Sequence, residues 1–393
     1  MDLEQDGHTS APPQRTLRTL DVMDVPPVLQ RHPALRWLAP LAVIGIAGVV
    51  ATGMFRAQAT SEQLPAASPK ALLAAVQQPS SSGFSGTVVS RLSLGLPELP
   101  ALGGGAGSAG DDEDATSLMS LLSGSHTLKV WYGGPDRQRI ALLGATDETD
   151  VFRSGREIWQ WASADHDAVH TVLPPRRSGT ELTGPADPSR SLTPAGLADD
   201  VLRDLDPSTR ITVSNDHTVA NRSAYELVLT PRTSATTIGS VRIAVDGKTK
   251  VPLGVRVYPR GSATPAIDVA FTSITFADPA DTAFSFTPPA GARVTTHDLS
   301  DAPARGDRAS ARRAVESRLT TSGEGWATVW TYKVGSEVKR LDAGPFGQAA
   351  KRVYGPWGAG RLFSSDLASV LVTDDGRILA GAVEANSLFA AAK

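Results

Sequence analysis

VRIAVDGKTKVPLGVRVYPRGSATPAIDVAFTSITF, residues 241–276, decides the fold. Val241, Ile243 and Val245 fall on one side of a period of two and Arg242 and Asp246 on the other, the pattern of a strand with one buried face. Asp246-Gly247 makes a hairpin turn, after which Val255 and Val257 resume the alternation. Ile267, Val269 and Phe271 continue it until Thr272-Ser273 displaces the rhythm to Ile274 and Phe276, which predicts a β-bulge bending a long strand. A bend of that kind lets a sheet curl.

Upstream, the same period runs through Phe84 to Leu92, then Leu128, Val130 and Tyr132, then Arg137 to Leu143, Asp150 to Arg153, Glu157 to Trp161 and His166 to Leu173. Counting through Phe276 gives about eleven strands. One helical stretch interrupts them at Thr193 to Leu205, with Leu197, Val201, Leu202 and Leu205 on one face. Another helix opens at Ser68-Pro69-Lys70, where a hydroxyl caps the start and Pro occupies the first helical position. Between the first strand and Ser125, the run LSLGLPELPALGGGAGSAGDDEDATSLMSLLSG is too long for a hairpin loop. It is greasy at both ends and acidic in the middle. Two readings stand: a surface insertion, or a lid over the apolar face that makes contact through Leu94, Leu96, Leu99, Met119 and Leu122. Downstream, residues 295–314 read as a linker rich in Asp, Ala, Arg and Pro. Residues 315–393 form a second unit of roughly eighty residues, enough for a small domain. Its strands are expected at Gly325 to Val334, Leu367 to Val372 and Arg377 to Val383, followed by a short terminal helix.

Lys and Arg total 38 against 41 Asp and Glu, so a net charge of -3 provides no electrostatic footprint for nucleic acid. There is no Cys, which excludes disulfides, thiolate metal sites, Cys nucleophiles and a lipid-modified Cys anchor. From Trp37 to Phe55, WLAPLAVIGIAGVVATGMF carries no charge and would span about 28 Å as a helix, close to a hydrocarbon core. Arg36 and Arg56 bracket it, and Trp37 and Phe55 suit the headgroup boundary. The expectation is one transmembrane signal anchor at 37–55, with residues 1–36 a disordered cytoplasmic tail and the bulk of the chain extracytoplasmic. Arg18, Arg31 and Arg36 set that direction. Ala57-Gln58-Ala59 resembles a peptidase site, but the apolar run is long for a cleaved signal, so the anchor is expected to stay.

The motifs of covalent chemistry are absent. Gly105, Gly107 and Gly110 match G-x-G-x-x-G, but the strand and helix that a nucleotide needs are missing, and Asp111, Asp112, Glu113 and Asp114 would repel a pyrophosphate. His166 and His170, four apart on a strand rather than a helix, lie about 13 Å from each other, too far to share a metal. No HExxH, GxSxG or P-loop pattern occurs. The reading is therefore of a protein that is not an enzyme and carries no cofactor or metal. Trp159 and Trp161 share a face of a short strand, where aromatics are usually core and can also wall a cavity.

FSGTVVSRLSL, VWYGGPDRQRIALL, VFRSGREIWQWASADHDAVHTVLP, AYELVLTP, IAVDGKTKVPLGVRVYP, VAFTSITF and FSFTPPAGARV, in that order, resemble the LolA-like superfamily of lipoprotein and lipid binders, which includes the LppX/LprG type and the RseB (MucB) type. The resemblance covers about 70 to 294 and implies a domain at 66–294. It implies a mainly β, α+β fold: an open antiparallel β-barrel of about eleven strands curved round an apolar cavity, with a helical lid and, as in RseB, a small C-terminal domain. Lipid or lipoprotein acyl chains entering such a cavity gain about 0.8 kcal/mol per methylene. On alternation alone, the cavity wall is expected from Val130, Trp159, Trp161, Val241, Ile243, Val255, Val257, Val269 and Phe271. Two functions compete: a membrane-anchored binder or carrier of acyl chains, whose membrane partner would be a transporter, and a sensory module that binds a membrane-protein partner such as an anti-sigma factor.

Overall fold

The computed structural model describes residues 63–77, 80–81, 83–95, 124–174, 194–195, 198, 202, 207–300, 317–334 and 350–393. The expected anchor at 37–55 and tail at 1–36 lie outside them. Eleven strands precede Phe276: β1 (Phe84–Leu92), β2 (Gly124–Tyr132), β3 (Arg137–Leu143), β4 (Glu148–Ser154), β5 (Glu157–Ala162), β6 (Asp167–Val172), β7 (Thr209–Val219), β8 (Arg222–Pro231), β9 (Ile238–Asp246), β10 (Pro252–Pro259) and β11 (Ile267–Thr275). A twelfth, β12 (Arg293–Asp298), extends into the stretch read as linker. All twelve form one sheet in the order β12-β6-β5-β4-β3-β2-β1-β11-β10-β9-β8-β7. It consists of two antiparallel meanders joined where β1 pairs with β11. The sheet stays open, since β12 and β7 are its two edges. β12 is parallel to β6 and so requires a crossover. That crossover passes β3 and β4 through a short 3-10 turn, Asp281–Phe284, whose Phe284 is buried.

The bulge expected at Thr272-Ser273 is present. Val88 pairs with Phe271 but Thr87 pairs with Ser273, so Thr272 is the extra residue, and its hydroxyl donates to the Thr87 carbonyl at 3.2 Å. Gly86 sits opposite this bend, where a Cβ would collide with the Ser273 carbonyl oxygen. Only glycine permits the two backbones to approach so closely.

Helix α1 (Pro69–Gln77) begins as the sequence indicates: Ser68 Oγ accepts from the Ala71 N–H at 3.2 Å. It turns Leu72 and Val76 into the buried face of the sheet. Of the expected helix at Thr193 to Leu205, Pro194, Ala195, Ala198 and Leu202 are described as helical, and Ala198 and Leu202 join the same apolar cluster. Leu197, Val201 and Leu205 lie outside the described residues.

The second unit is a six-stranded sheet in the order β13-β14-β18-β17-β16-β15. Its strands are β13 (Leu319–Ser322), β14 (Val329–Lys333), β15 (Lys351–Gly355), β16 (Gly358–Ser364), β17 (Ser369–Thr373) and β18 (Arg377–Gly381). Helix α2 (Ala385–Ala391) covers one face, with Leu388 against Val329, Leu371 and Leu379. The Asp374-Asp375-Gly376 turn joins β17 to β18, with Gly376 at φ 90°.

At the β9–β10 hairpin, Asp246 is buried and accepts from Arg222 Nε at 2.5 Å and Nη2 at 3.1 Å, and from the Thr249 N–H at 2.7 Å and hydroxyl at 2.9 Å. Burial alone would raise its pKa, but the hydrogen bonds from Arg222 and Thr249 outweigh it, and the carboxyl titrates below its ordinary value. Asp246→Asn is expected to cost about 2–3 kcal/mol in urea unfolding at neutral pH, because it leaves Arg222 facing a neutral amide. A depressed folded pKa gives stability that is present above the unfolded value of about 4 and is lost as pH falls through the folded one, so the gap between native chain and variant should close in acid. A gap unchanged from pH 7 to pH 2 would contradict this account.

Candidate functional site

Register determines which side chains share a face. Val255 pairs with Ile243 and with Val269, Val257 with Val241, Val88 with Phe271 and Gly86 with Val130. Directly paired residues project to the same side of a sheet. Seven of the expected wall residues, Val130, Val241, Ile243, Val255, Val257, Val269 and Phe271, therefore line one inner face. All are buried in a single apolar cluster with Val88, Leu128, Ile140, Leu227 and Leu229. At one end, Phe84 stacks on Tyr132 with centroids 5.2 Å apart and meets Phe271 edge-on at 5.9 Å.

Trp159 and Trp161 are not part of this face. Ile140 pairs with Val151 and Val151 with Gln160, so the tryptophans flanking Gln160 project to the outer side. There the crossover after β11 covers them: Phe286 lies 5.5 Å from Trp159, 5.8 Å from Trp161 and 5.0 Å from Phe152. His170 stacks on Trp159 at 4.2 Å and contacts Glu157, while His166 occupies a turn with φ 55°. Sequence reasoning did not identify this outer aromatic cluster as separate. The closing Phe-x-Phe was its signal, since Phe284 is buried under Arg137 and Phe286 completes the cluster. Of the lid residues, Leu94 is buried in the inner cluster; Leu96, Leu99, Met119 and Leu122 lie outside the described residues.

The second unit closes one end of the inner face. Leu92 pairs with Ile267, Ile267 with Val257, Ile238 with Pro259, and Thr209 with Pro231, so the adjoining ends of these strands make one rim. Trp326 Nε1 donates to Thr209 Oγ1 at 2.8 Å, the Thr237 N–H to the Ala382 carbonyl at 2.9 Å, and the Asp366 N–H to the Leu94 carbonyl at 2.8 Å. The hydroxyls of Thr236 and Thr237 donate to the carbonyls of Ala382 and Leu367 at 2.6 and 2.5 Å. Trp326 and Leu367 are themselves members of the inner cluster. Just inside this rim the face carries two polar side chains, Ser90 and His126, directly opposite each other and both buried. Among the described residues Ser90 Oγ has no hydrogen-bond partner, a burial that costs about 1–3 kcal/mol.

On the outer face, Arg139 lies over Trp131 and Phe152 and donates to Asp150 at 2.8 Å and to Glu148 at 3.3 Å. Hydrogen bonding to Asp150, then burial, then the charge of Asp150 push the Glu148 carboxyl up to about 7. A raised folded pKa means that the folded chain holds the extra proton, so this contribution is present below about 4.5 and is lost as pH rises through about 7. Glu148→Gln removes the titration and is expected to raise the urea midpoint at pH 8 more than at pH 4, modestly because the side chain is 40% exposed. An equal change at both pH values would exclude the shared proton.

No protein-family model matches the sequence, and no curated protein matches it. Among solved structures, the chain is similar to one in the Pseudomonas aeruginosa MucA/MucB complex, at 17% identity over 82% of this chain and 94% of that one, TM-score 0.39. It is similar to an uncharacterised conserved protein of Thermus thermophilus, at 10% identity over 58% and 98%, TM-score 0.32. It is also similar to a LolA superfamily protein of Nitrosomonas europaea, at 12% identity over 56% and 99%, TM-score 0.22.

Proposed function

We propose that this chain is a membrane-anchored, extracytoplasmic binder of acyl chains, from a lipid or a lipoprotein, and that it performs no covalent chemistry. One observation carries the reading: the inner faces of β1, β2, β3, β8, β9, β10 and β11 merge into a single apolar surface. Its cover consists of short pieces, among them α1, Leu94, and Ala198 with Leu202. Their retreat would uncover a wall onto which fatty tails could transfer at about 25 cal/mol per Å². Native mass spectrometry of the full-length chain from its host should show acyl-lipid adducts on a protein whose mass includes the segment upstream of Thr60. A well-folded chain without adducts or affinity for acylated ligands would defeat the reading, and a mass beginning at Thr60 would remove the anchor from it.

A second reading is favoured by the docking of the C-terminal unit: a sensor that signals to a membrane partner such as an anti-sigma factor when an acyl ligand arrives. Trp326 and Leu367 belong to the same cluster as the wall, so a guest entering by this rim competes with the docked unit. The absence of Cys permits a clean test. Thr237→Cys with Ala382→Cys places a cysteine on each of two residues already linked by a main-chain hydrogen bond of 2.9 Å, and a disulfide needs Cα atoms about 4.4–6.8 Å apart. Oxidation should weaken apparent acyl binding about tenfold or more, and reduction should restore it. Equal binding in both states would make the unit a passenger and remove the sensory reading.

A further inference from the structure

Ser90 and His126 lie just inside the rim, buried on paired strands of the inner face. Val88 and Leu92 flank Ser90 on the same face of β1, and Val269 lies across from it on β11. All are buried and apolar. The Ser90 hydroxyl, 4% exposed, points by register into the inner cluster and finds no acceptor there among the described residues. Natural cores rarely leave such a group unpaired, and those that do warrant a search for what completes it. His126 stands in the directly opposite position on β2, so the two side chains project to the same face of the sheet. From there an apolar path runs along the inner face through Val88, Leu128 and Val130 towards Phe271.

We propose that Ser90 and His126 form the seat for the oxygen-bearing end of an acyl ligand, a carboxylate or an ester carbonyl, with the tail extending along the apolar face. This rests on the acyl-binding reading above. The Ser90 O–H donates to the ligand oxygen, gaining the acceptor that the empty chain lacks, and the His126 ring borders the same oxygen. The seat lies at the rim closed by Leu94, Leu367 and Trp326, which orients the ligand with its head outward and its tail inward.

The test uses the full-length chain freed of co-purified lipid and three calorimetric probes of equal tail length: laurate, glycerol monolaurate and dodecyltrimethylammonium, whose head can accept no hydrogen bond. Ser90→Ala should melt no lower than the native chain when empty, because it deletes an unpaired hydroxyl. It should weaken a carbonyl-bearing probe about tenfold and leave dodecyltrimethylammonium unchanged. Loss confined to laurate identifies a free carboxylate as the seated group, and loss shared by the monolaurate identifies an acyl ester. Ser90→Thr, which keeps the hydroxyl, should keep the preference. Equal weakening of all three probes, or of none, overturns the seat while leaving acyl binding intact. Failure of every probe to bind the native chain overturns both.

Discussion

The pairing of β1 with β11 is the constraint on which the larger sheet depends. Strands β2 to β6 and β7 to β11 are each a run of sequence neighbours joined by short connections, and β1 pairs with β2 across a long insertion. Only the contact between Phe84–Leu92 and Ile267–Thr275 joins them. The ends of that ladder lie far apart in sequence, so its formation requires closing a long loop, and burial must repay the entropy lost. Val88, Leu92, Val269 and Phe271 supply that burial at the seam. The bulge at Thr272 and the side-chain-free Gly86 bend the ladder where the meanders meet. A bulge increases local twist and bends the strand that carries it, because that strand has a residue more than its partner.

The strand ends of the open sheet form a rim, and a separate folded unit docks on one of them. The docking is mostly main-chain in character: four of the five cross-unit hydrogen bonds described above end on carbonyls of Leu94, Leu367 or Ala382. Trp326 and Leu367 add apolar area. A joint built on main-chain acceptors is specific in geometry, since the carbonyl positions are set by the backbone. The second unit keeps its own core around Leu371, Leu379 and Leu388, so undocking need not unfold it.

Much of this was legible from residue order. The period of two located the strands, Asp246-Gly247 and Asp374-Asp375-Gly376 marked their turns, and Ser68-Pro69 opened α1. The shift at Thr272-Ser273 announced the bulge. The strands β15 and β16 were less visible: GAGRLFS and KRVYG break alternation with glycine and charge, and partner strands rather than their own pattern hold them in the sheet. β12 was read as linker because its exposed RVTTHD has no apolar face to reveal it.

Seven of the nine residues named for a cavity wall were found on one common face of the sheet, each on a strand whose neighbours share its alternation. Trp159 and Trp161 were not, because alternation states that two residues share a side of their own strand and is silent on which side of the sheet that is. The pairing of Ile140 with Val151 and Val151 with Gln160 settles it, and pairing is a long-range property. Sequence by itself thus determined the local elements, whose causes are turn chemistry and side-chain period. Tertiary structure alone decided the face of the tryptophans, the parallel docking of β12, the meeting of Ser90 with His126 and the closure of the rim by the second unit. Each of those depends on register between segments that the sequence keeps apart.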